Sequence, residues 1–597
     1  MKTRLHLTML AALLAAGPAL AASFTGTITT PDGHPAFGAM VTVFNPDETQ
    51  RQTVYTAQDG SYTIQTPFQG KLRLRVRMAN FEDNQALREA GLMQYSVQNL
   101  QLKKFASAEA GSDALSASAH NATLPWANLS DRQPFVSQCN YCHQLGNLTT
   151  RVPRGHDGWI QTINKMEGMM AMLSQHEVNV IADVLDRGFQ GKPVQTLHDY
   201  GASADMAKAK VEEWRVGDSM SFIHDMDVAE DQMLYGTDEG HDVIWRLDRA
   251  SGQVEKFPLP DIDLPRGGKF SGMKLPIGVF DGKHGPHSMA QTSDGRIWIT
   301  NALSSTLMSF DPRTHAFKTY PVGHDALYPH TIRVDKNDIV WFTIVASNQI
   351  ARFDPKTEQM TVKNLPSNGF FQWVTDMLFP TLLHVSSWFP DHAYLLNFSH
   401  HKFLGYTVLA FPYGIDINPI DGSVWYAKLY SSKIGRVDPN TLDVTEIDTP
   451  MRGPRRLRFD GQGNLWIPAF DEGGLMRFNT QAHQFTTWKM PLIGPNEYET
   501  PYALNIDRTN GDVWMAANNS DRIVRFTPST QKFQSYPTPM RVSVYRDMAF
   551  TKDGRVCSSS SNLPAYAIED NHPAFICIDP QGATKDQAAL SKEKAQP

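Results

Sequence analysis

The sequence predicts a multidomain, mainly β protein whose C-terminal part is a seven-bladed β-propeller. A pattern of 15 residues, clearest in PHSMAQTSDGRIWIT, returns seven times between residues 207 and 582. Each copy continues with an apolar segment ending near Asp-Pro and an alternating segment ending near proline. Four short strands per repeat are typical of propeller blades. Before the repeats, residues 23–103 alternate with period two and residues 131–196 show helical periodicity.

Composition is that of a folded, acidic chain. Of its 597 residues, 41% are hydrophobic and 20% are charged, which is enough apolar material for several packed cores. Lys and Arg number 55 against 62 Asp and Glu, so the formal net charge is -7. We therefore predict no nucleic-acid partner, because nucleic acids require a broad basic surface.

Residues 1–22 have the layout of a secretory signal peptide. Two basic residues precede the apolar run LTMLAALLAAGPALA, and small residues follow it. A membrane-spanning helix is the competing interpretation, but the run is short and Pro18 interrupts it. We predict export to the periplasm and no transmembrane span.

Residues 23–103 predict a small β-sandwich. Short alternating segments such as FTGTI, AMVTVF and SYTIQT are separated by Asp-Gly turns. The patterns TGTITTPDGHPAFGAMVTVFN and TAQDGSYTI resemble the carboxypeptidase regulatory-like family, which shares its fold with some starch-binding modules. The resemblance implies a sandwich that could bind carbohydrate or a surface, or serve as a passive spacer.

Two further segments lack an apolar period. Residues 104–130, with the stretch SAEAGSDALSASAHNATLP, are rich in Ser and Ala and predict a linker. Residues 583–597 predict a disordered tail.

The motif CNYCH combines Cys139, Cys142 and His143. Two such thiols can add across the vinyl groups of a haem while the histidine ligates the iron, so the motif predicts covalent haem c. A zinc site would need a second ligand pair nearby, and a thioredoxin-like redox pair would need a βαβ setting. Neither is evident in the flanking sequence.

Residues 131–196 resemble a class I cytochrome c domain, a small α-helical unit. DGWIQTINKMEGMM has helical apolar spacing, and a capping box at Ser174 and Glu177 opens a second helix. In this family a Trp-containing helix often carries the methionine ligand, which implies Met166 as the distal haem ligand. Met169, Met170 and Met172 lie close by in sequence, and we expect most of them to serve packing.

One position near the start of each repeat should face the propeller channel, because the first strand of every blade borders it. We name these positions the inner-ring residues. They are His224, His287, His330, Tyr413, Arg455, Tyr502 and Arg546.

The inner ring has the residue types of a catalytic site. Its three histidines could bind iron, copper or zinc with positions left open for substrate. Its two arginines could clamp a carboxylate or an oxyanion, and its two tyrosines could donate protons. Alternatively, the polar channel mouth is simply hydrated. A single histidine there would favour hydration, whereas three histidines in register favour a site.

The repeat spacing contains two long intervals of 63 and 83 residues. The longer one holds an apolar insertion at residues 371–410, which we interpret as a lid or contact surface. A degenerate eighth blade is the alternative. The last copy lacks its fourth strand, and residues 209–217, AKVEEWRVG, could complete it.

Cys557 and Cys577 lie in neighbouring strands of the last predicted blade. A disulfide between them is favoured over two buried thiols in an exported chain.

The repeat, with its DG-x-apolar-W turn and I-x-R-apolar-DP strand, resembles the virginiamycin B lyase (streptogramin lyase) family. The resemblance implies seven blades over about residues 209–582 and a metal-assisted elimination that uses a histidine base and an acidic residue from late blades. This chain has Tyr502 and Arg546 at the late positions, which departs from that pattern.

We predict a periplasmic c-type haem oxidoreductase that acts on a small organic substrate in the propeller channel. Its electron partner would be a soluble periplasmic carrier or a quinoprotein. The alternatives are a streptogramin-lyase-type C–O lyase acting on a cyclic ester or depsipeptide, and a non-catalytic carbohydrate- or peptide-binding protein.

Overall fold

The computed structural model describes residues 22–90, 95–273, 281–389 and 405–595. Over these residues the protein is mainly β and has seven α-helices. The predicted signal peptide, apart from Ala22, lies outside the described residues, as do parts of both long intervals between repeats. No helix of the described ranges is long and apolar enough to cross a bilayer.

The N-terminal unit is a β-sandwich of two sheets. One sheet is built on β1, which pairs with β4, β7 and β8, and the other has the order β3-β2-β5-β6. Alternating apolar side chains such as Val41, Val43, Leu72 and Leu74 fill the space between the sheets. The strands are β1 (Ala22–Thr29), β2 (Met40–Phe44), β3 (Gln50–Tyr55), β4 (Ser61–Thr66), β5 (Gly70–Arg77), β6 (Asn84–Ala90), β7 (Tyr95–Val97) and β8 (Leu100–Gln101).

The segment predicted as a linker, residues 104–130, is instead structured. It contains α1 (Ala108–Asp113) and α2 (Ala117–Asn121), and every residue of α2 is buried. Small side chains let this backbone pack closely, and the Ser118 amide donates to the Asn519 carbonyl. The prediction failed because Ser and Ala suit both a flexible linker and a closely packed short helix.

Three helices follow: α3 (Leu129–Cys139), α4 (Gly155–Glu167) and α5 (Gln175–Gly188). The predicted capping box is present, because Ser174 and Glu177 each accept a hydrogen bond from the other's backbone amide. Trp159 and Ile163 of α4 are buried against the apolar face of α5. The helices form one small hydrophobic core beside the β-rich remainder of the chain.

Seven four-stranded, propeller-like sheets make up the C-terminal part. The first strands of the first six sheets lie side by side in order, and the first strand of the first sheet lies beside that of the last. Asn505 of the sixth sheet donates to the Met548 carbonyl, next to the first strand of the seventh sheet, so the ring is closed. Large side chains such as Trp298, Trp341, Trp466 and Trp514 are fully buried between sheets. These tryptophans hold the blades together through apolar burial.

The strands of this part, in chain order, are as follows. After β9 (Lys210–Arg215), the first three sheets comprise β10 (Ile223–Val228), β11 (Leu234–Asp238), β12 (Val243–Leu247), β13 (Val254–Pro258), β14 (Pro286–Gln291), β15 (Ile297–Asn301), β16 (Thr306–Asp311), β17 (Ala316–Pro321), β18 (Pro329–Val334), β19 (Val340–Ile344), β20 (Gln349–Asp354) and β21 (Gln359–Asn364). Beyond the insertion helix α6 (Phe370–Ser387), the remaining strands are β22 (Pro412–Ile417), β23 (Val424–Lys428), β24 (Lys433–Val437), β25 (Val444–Asp448), β26 (Arg458–Phe459), β27 (Asn464–Ala469), β28 (Gly474–Asn479), β29 (Gln484–Lys489), β30 (Leu504–Ile506), β31 (Val513–Ala517), β32 (Arg522–Thr527), β33 (Lys532–Pro537), β34 (Ala549–Phe550), β35 (Val556–Ser559) and β36 (Ala574–Asp579).

The ring closes as the sequence predicted. Strand β9 pairs with β36, with Glu212 opposite Cys577, and so supplies the fourth strand of the last sheet. The other edge of β9 pairs with β3 of the sandwich, with Val211 opposite Thr53. One eight-stranded sheet therefore runs from the last blade into the N-terminal unit, and β9 leaves neither unit with a free edge there.

The apolar insertion contains α6 in its described part, where a blade would have strands. Phe379 and Leu383 of α6 are buried against residues that include Phe270 and Leu303 of the propeller region. Residues 390–404 of the predicted contact surface lie outside the described residues.

The prediction of a disordered tail at residues 583–597 was wrong over the described part of that segment. Residues Gly582–Ala595 form α7, with Ala583 and Leu590 buried. Asp586 of α7 accepts hydrogen bonds from the Lys210 side chain and the Gln65 amide. Low sequence hydrophobicity concealed this helix, since a few small contacts and two ion pairs, Asp586 with Lys210 and Lys585 with Asp579, hold it in place.

Cys557 and Cys577 are joined in a disulfide between β35 and β36 of the last blade.

Candidate functional site

The structure brings the seven inner-ring residues together around the channel. Ring centroids are 3.7 Å apart for His224 and His287, 3.9 Å for His287 and His330, and 4.0 Å for His330 and Tyr413. Tyr502 follows, with its hydroxyl hydrogen-bonded to that of Tyr413. Five blades thus contribute one continuous arc of side chains.

The two arginines complete this arc. The Cζ atom of Arg455 lies 3.6 Å from the Tyr502 ring centroid, and the Cζ atom of Arg546 lies 5.0 Å from the same centroid. Both arginines are at most 2% exposed. All seven residues therefore occupy one dry region.

Local backbone geometry places these side chains. In the first four sheets the strand register shifts at the inner-ring residue, for example between Pro286 and Ser288 and between Pro329 and Ile332. Such a bulge leaves one residue out of the ladder and re-aims its side chain. In the last three sheets the first strand is short and begins after the inner-ring residue, so that residue is likewise free of the ladder.

Burial favours the neutral form of the three inner-ring histidines. Burial lowers the pKa of each well below its usual value, and nearby arginines and imidazoles lower it further. Nδ1 of His224 lies 2.9 Å from the Asp225 carboxylate, and Nδ1 of His330 lies 2.8 Å from the Thr331 hydroxyl. These contacts orient the rings and leave Nε2 of both histidines available as ligand atoms.

Glu239 is a further member of the site. Its carboxylate lies 3.6 Å from Nε2 of His287, and ligand atoms of His224, Glu239 and His287 all lie within 4.8 Å of one another. Burial raises the pKa of Glu239 well above its usual value. Two histidines and a carboxylate are a recognised donor set for iron and other divalent metals.

Sequence reasoning missed Glu239 and placed His330 in its stead as a ligand. Glu239 directly follows the second strand of the first sheet, where other repeats have Ala302, Val345 or Leu429. A carboxylate at a position that is apolar in the next four repeats was the available signal. His330 stays in the ring, 3.9 Å from His287 by centroids, beside the three-residue group.

Below the ring, buried ion pairs cross the channel. Nη1 of Arg456 lies 2.7 Å from the Asp225 carboxylate and 3.1 Å from that of Asp547, and Arg458 also pairs with Asp547. All four groups are buried. Asp225 therefore links the histidine arc to the buried ion pairs of Arg456, Asp547 and Arg458.

Above the ring lies the CNYCH segment. Arg546 donates from Nη1 to the Tyr141 carbonyl at 2.8 Å and from Nη2 to the Cys142 carbonyl at 2.6 Å. The Gln144 side chain donates to the carbonyls of Asn518 and Ser543, and Tyr141 packs against the cluster of Tyr413 and Tyr502. An inner-ring arginine thus binds the backbone of this motif directly.

The residues of the motif fit covalent haem. Cys139 and Cys142 are free thiols, and burial raises the pKa of Cys139 to about 12. Nδ1 of His143 lies 3.0 Å from the Gln144 carbonyl, which fixes the ring and leaves Nε2 free for a metal. This donor set is the one that a c-type haem requires.

The predicted distal ligand remains a prediction. Met166 is half-buried in the last turn of α4. Met170 and Met172, which follow α4, pack with propeller residues such as Phe270 and Leu327. They tie the helical unit to the propeller, in line with the expected packing role.

Comparison with known proteins addresses the architecture. Residues 23–102 match the family described as carboxypeptidase regulatory-like domain, which confirms the resemblance predicted for that segment. No curated protein matches the chain.

Among solved structures, the chain is similar to a streptogramin B lyase, with 18% identity, a TM-score of 0.46, and 62% of this chain and 98% of that chain covered. It is also similar to the virginiamycin B lyase of Staphylococcus aureus, with 17% identity, a TM-score of 0.45, and 62% and 99% covered. A third is Kuenenia stuttgartiensis hydrazine synthase, with 11% identity, a TM-score of 0.41, and 60% and 96% covered.

Proposed function

We propose that this protein is a periplasmic oxidoreductase in which a c-type haem and a metal in the propeller channel serve one reaction. The observation that carries the proposal is the position of CNYCH. Arg546 of the inner ring holds the carbonyls of Tyr141 and Cys142, so the haem motif and the histidine arc share one buried region. A haem that served an unrelated purpose would have no need of that attachment.

In this proposal Cys139 and Cys142 hold the haem covalently and His143 ligates its iron. The haem, when bound, supplies one-electron transfer. The protein contributes orientation, because Gln144 fixes His143 through its carbonyl and fixes the loop through its side chain. Met166 is the proposed distal ligand.

His224, Glu239 and His287 would hold the channel metal, with iron, copper or zinc as candidates. When bound, the metal supplies a Lewis acid or redox centre with open positions for a substrate. The surrounding side chains exclude water, and Asp225 orients His224 from behind. Tyr413 and Tyr502 carry hydroxyl protons on the substrate side of the arc.

The substrate would be a small organic molecule or ion, because the arc is narrow and enclosed by side chains. Electrons would pass to or from a soluble periplasmic carrier or a quinoprotein. Export through residues 1–22 would provide the oxidising compartment in which haem attachment and the Cys557–Cys577 disulfide are compatible.

The first test is cofactor content after maturation in a periplasm. We expect a reduced c-type visible spectrum, covalent haem after denaturation, and about one equivalent of a channel metal per chain. Cys139→Ser with Cys142→Ser should abolish covalent haem and keep the metal. Glu239→Gln should lose most of the metal and keep the haem.

His34→Ala, at an exposed histidine of the sandwich, is the matched control and should change neither cofactor. Absence of covalent haem from correctly matured protein would exclude the oxidoreductase proposal. Cyclic depsipeptide opening that persists in the double cysteine variant would favour the lyase alternative instead.

A further inference from the structure

Arg455 is a buried cation that has no carboxylate partner among the described residues. Its side chain is 0% exposed. Nη2 donates to the Tyr413 hydroxyl at 3.2 Å, whereas Nε and Nη1 are buried without a hydrogen-bond partner. An unpaired buried guanidinium is expensive, because both its charge and its donors have lost water.

Aromatic rings surround the guanidinium and compensate for part of this cost. Its Cζ atom lies 3.6 Å from the Tyr502 ring centroid, 4.2 Å from that of Phe470 and 4.7 Å from that of Tyr413. Cation–π contacts of this kind supply attraction but accept no N–H hydrogen bond in the plane of the guanidinium. The two free donors therefore still require oxygen acceptors.

The neighbouring charged groups are already committed elsewhere. Arg456, the next residue, pairs with Asp225 and Asp547. Asp471 senses the charge of Arg455, but its Oδ2 accepts from Gln133 and Ser137. Its Oδ1 is buried without a hydrogen-bond partner, and Asp471 forms no ion pair with Arg455 within the described chain. Arg455 therefore stands beside the histidine arc without an anion. Arg546 has no carboxylate partner among the described residues there either, but each of its three nitrogens donates to an oxygen, whereas two nitrogens of Arg455 do not.

We propose that Arg455 binds a small oxygen-bearing monoanion, a carboxylate or an inorganic oxyanion, as part of the substrate site. An anion that accepts from one of these free donors would offset the charge of Arg455. Tyr413 links this position to His330, whose ring centroid is 4.0 Å from its own. The inference rests on the proposed function, since it assigns the substrate of that channel to the class of small anions.

The same chemistry has two sources: a free anionic substrate, or a propionate of the haem. Two protein forms distinguish them. The first is the matured holo-protein, and the second is the Cys139→Ser/Cys142→Ser protein without covalent haem. Sodium formate and acetate are the probes, titrated against sodium chloride at constant ionic strength, with calorimetric binding and thermal unfolding as readouts.

We expect formate to bind the holo-protein saturably and to raise its unfolding temperature. Arg455→Gln should weaken that binding roughly 10- to 100-fold, as expected for lost hydrogen bonds to a charged group. Arg352→Gln is the matched control, because Arg352 also lies over an aromatic ring, 5.9 Å from the Trp341 centroid, but on the third strand of a different blade. It should leave binding unchanged.

Binding only to the protein without haem would assign Arg455 to a propionate, which is the same chemistry from the other source. If neither form responds to formate or acetate, or if Arg455→Gln binds as well as the unsubstituted protein, the anion site is refuted. The anion site is also refuted if a tyrosinate absorbance band is present at neutral pH and vanishes in Tyr502→Phe, since a phenolate would then be the counter-ion. Haem and metal contents are measured on the same samples, so failure of the oxidoreductase proposal would be seen separately.

Discussion

Two groups of buried arginines in this protein differ in what they face. Where the sandwich meets the last blade, Arg51 lies 2.5 Å from the Glu213 carboxylate, and Arg77 pairs with both Asp83 and Glu569. In the channel, Arg455 meets aromatic rings and a hydroxyl. Both groups are buried, yet only the first is neutralised by the protein itself.

The difference separates assembly from ligand binding. A buried cation costs several kcal/mol unless charge and hydrogen bonds compensate it. At the sandwich interface the chain supplies both, so the contact is complete without any further component. At Arg455 the chain supplies neither in full, which is what a site made for an external anion requires. Substitutions at the two places should therefore act with opposite sign.

The largest effect is expected from Glu569→Ala. This change removes the carboxylate that pairs with Arg75 and Arg77 in a buried interface. Loss of a buried ion-pair partner costs about 3–5 kcal/mol of unfolding free energy. Chemical denaturation measures it. Asp448→Ala is the control, because Asp448 pairs with Lys433 on the surface and should cost less than about 1 kcal/mol. Equal effects of the two changes would contradict the distinction.

Acid should act through the same interface. Burial opposes ionisation of Glu569, but the charge and hydrogen bonds of Arg77 outweigh it and hold its pKa well below the usual value of 4.5. A carboxyl with a lowered folded pKa stabilises the fold above its unfolded pKa, and this contribution is lost as pH falls below about 4.5 toward the folded pKa. The stability difference between the unsubstituted protein and Glu569→Gln should shrink over that range. A difference that stays constant from neutral pH to pH 3 or so would be inconsistent with this origin.

Arg546→Met should have an intermediate effect located at the CNYCH motif. It removes two hydrogen bonds to the carbonyls of Tyr141 and Cys142, each worth about 1.5–3 kcal/mol when the donor is charged, with partial compensation by water. We expect covalent haem to be retained, the midpoint potential to shift, and unfolding free energy to fall by about 2 kcal/mol. An unchanged potential, measured by spectroelectrochemistry, would show that the attachment does not reach the haem.

The smallest effect, with the opposite sign, is expected from Arg455→Met. Removing a guanidinium with two unpartnered donors should raise unfolding free energy by about 1 kcal/mol in chloride buffer, after the lost cation–π contacts are subtracted. The gain should disappear in formate, which stabilises only the unsubstituted protein. Denaturation curves in the two buffers give the sign directly, and a loss of stability in both would remove the contrast with Glu569.

The repeat made the inner-ring residues predictable from sequence, whereas Glu239 could not be predicted from the repeat. His224 through Arg546 could be placed from sequence because each occupies the same point of a repeat whose geometry is imposed by β-strand pairing. Glu239 lies one residue beyond a strand in a single repeat, so it breaks the pattern instead of following it. Its role depends on three-dimensional proximity to His287, which no spacing encodes.

Segments outside the repeats were less predictable for a related reason. The helices at residues 108–121 and 582–595 carry no apolar period, and their stability comes from partners such as Glu497 and Lys210 that are distant in sequence. The position of CNYCH over the channel has the same origin. The repeat predicted that Arg546 is an inner-ring residue, but only the three-dimensional structure shows its hydrogen bonds to Tyr141 and Cys142.

Strand β9 also dictates an order of events. It lies between residues 210 and 215, yet one of its partners is β36, which ends at Asp579. During synthesis β9 can pair with β3 of the sandwich long before the last blade exists. Strand β9, paired with β3, would then have one free edge, and the ring could close only after β36 has been synthesised. The N-terminal domain therefore gives β9 an early partner, and its loss would leave one edge of β9 unpaired.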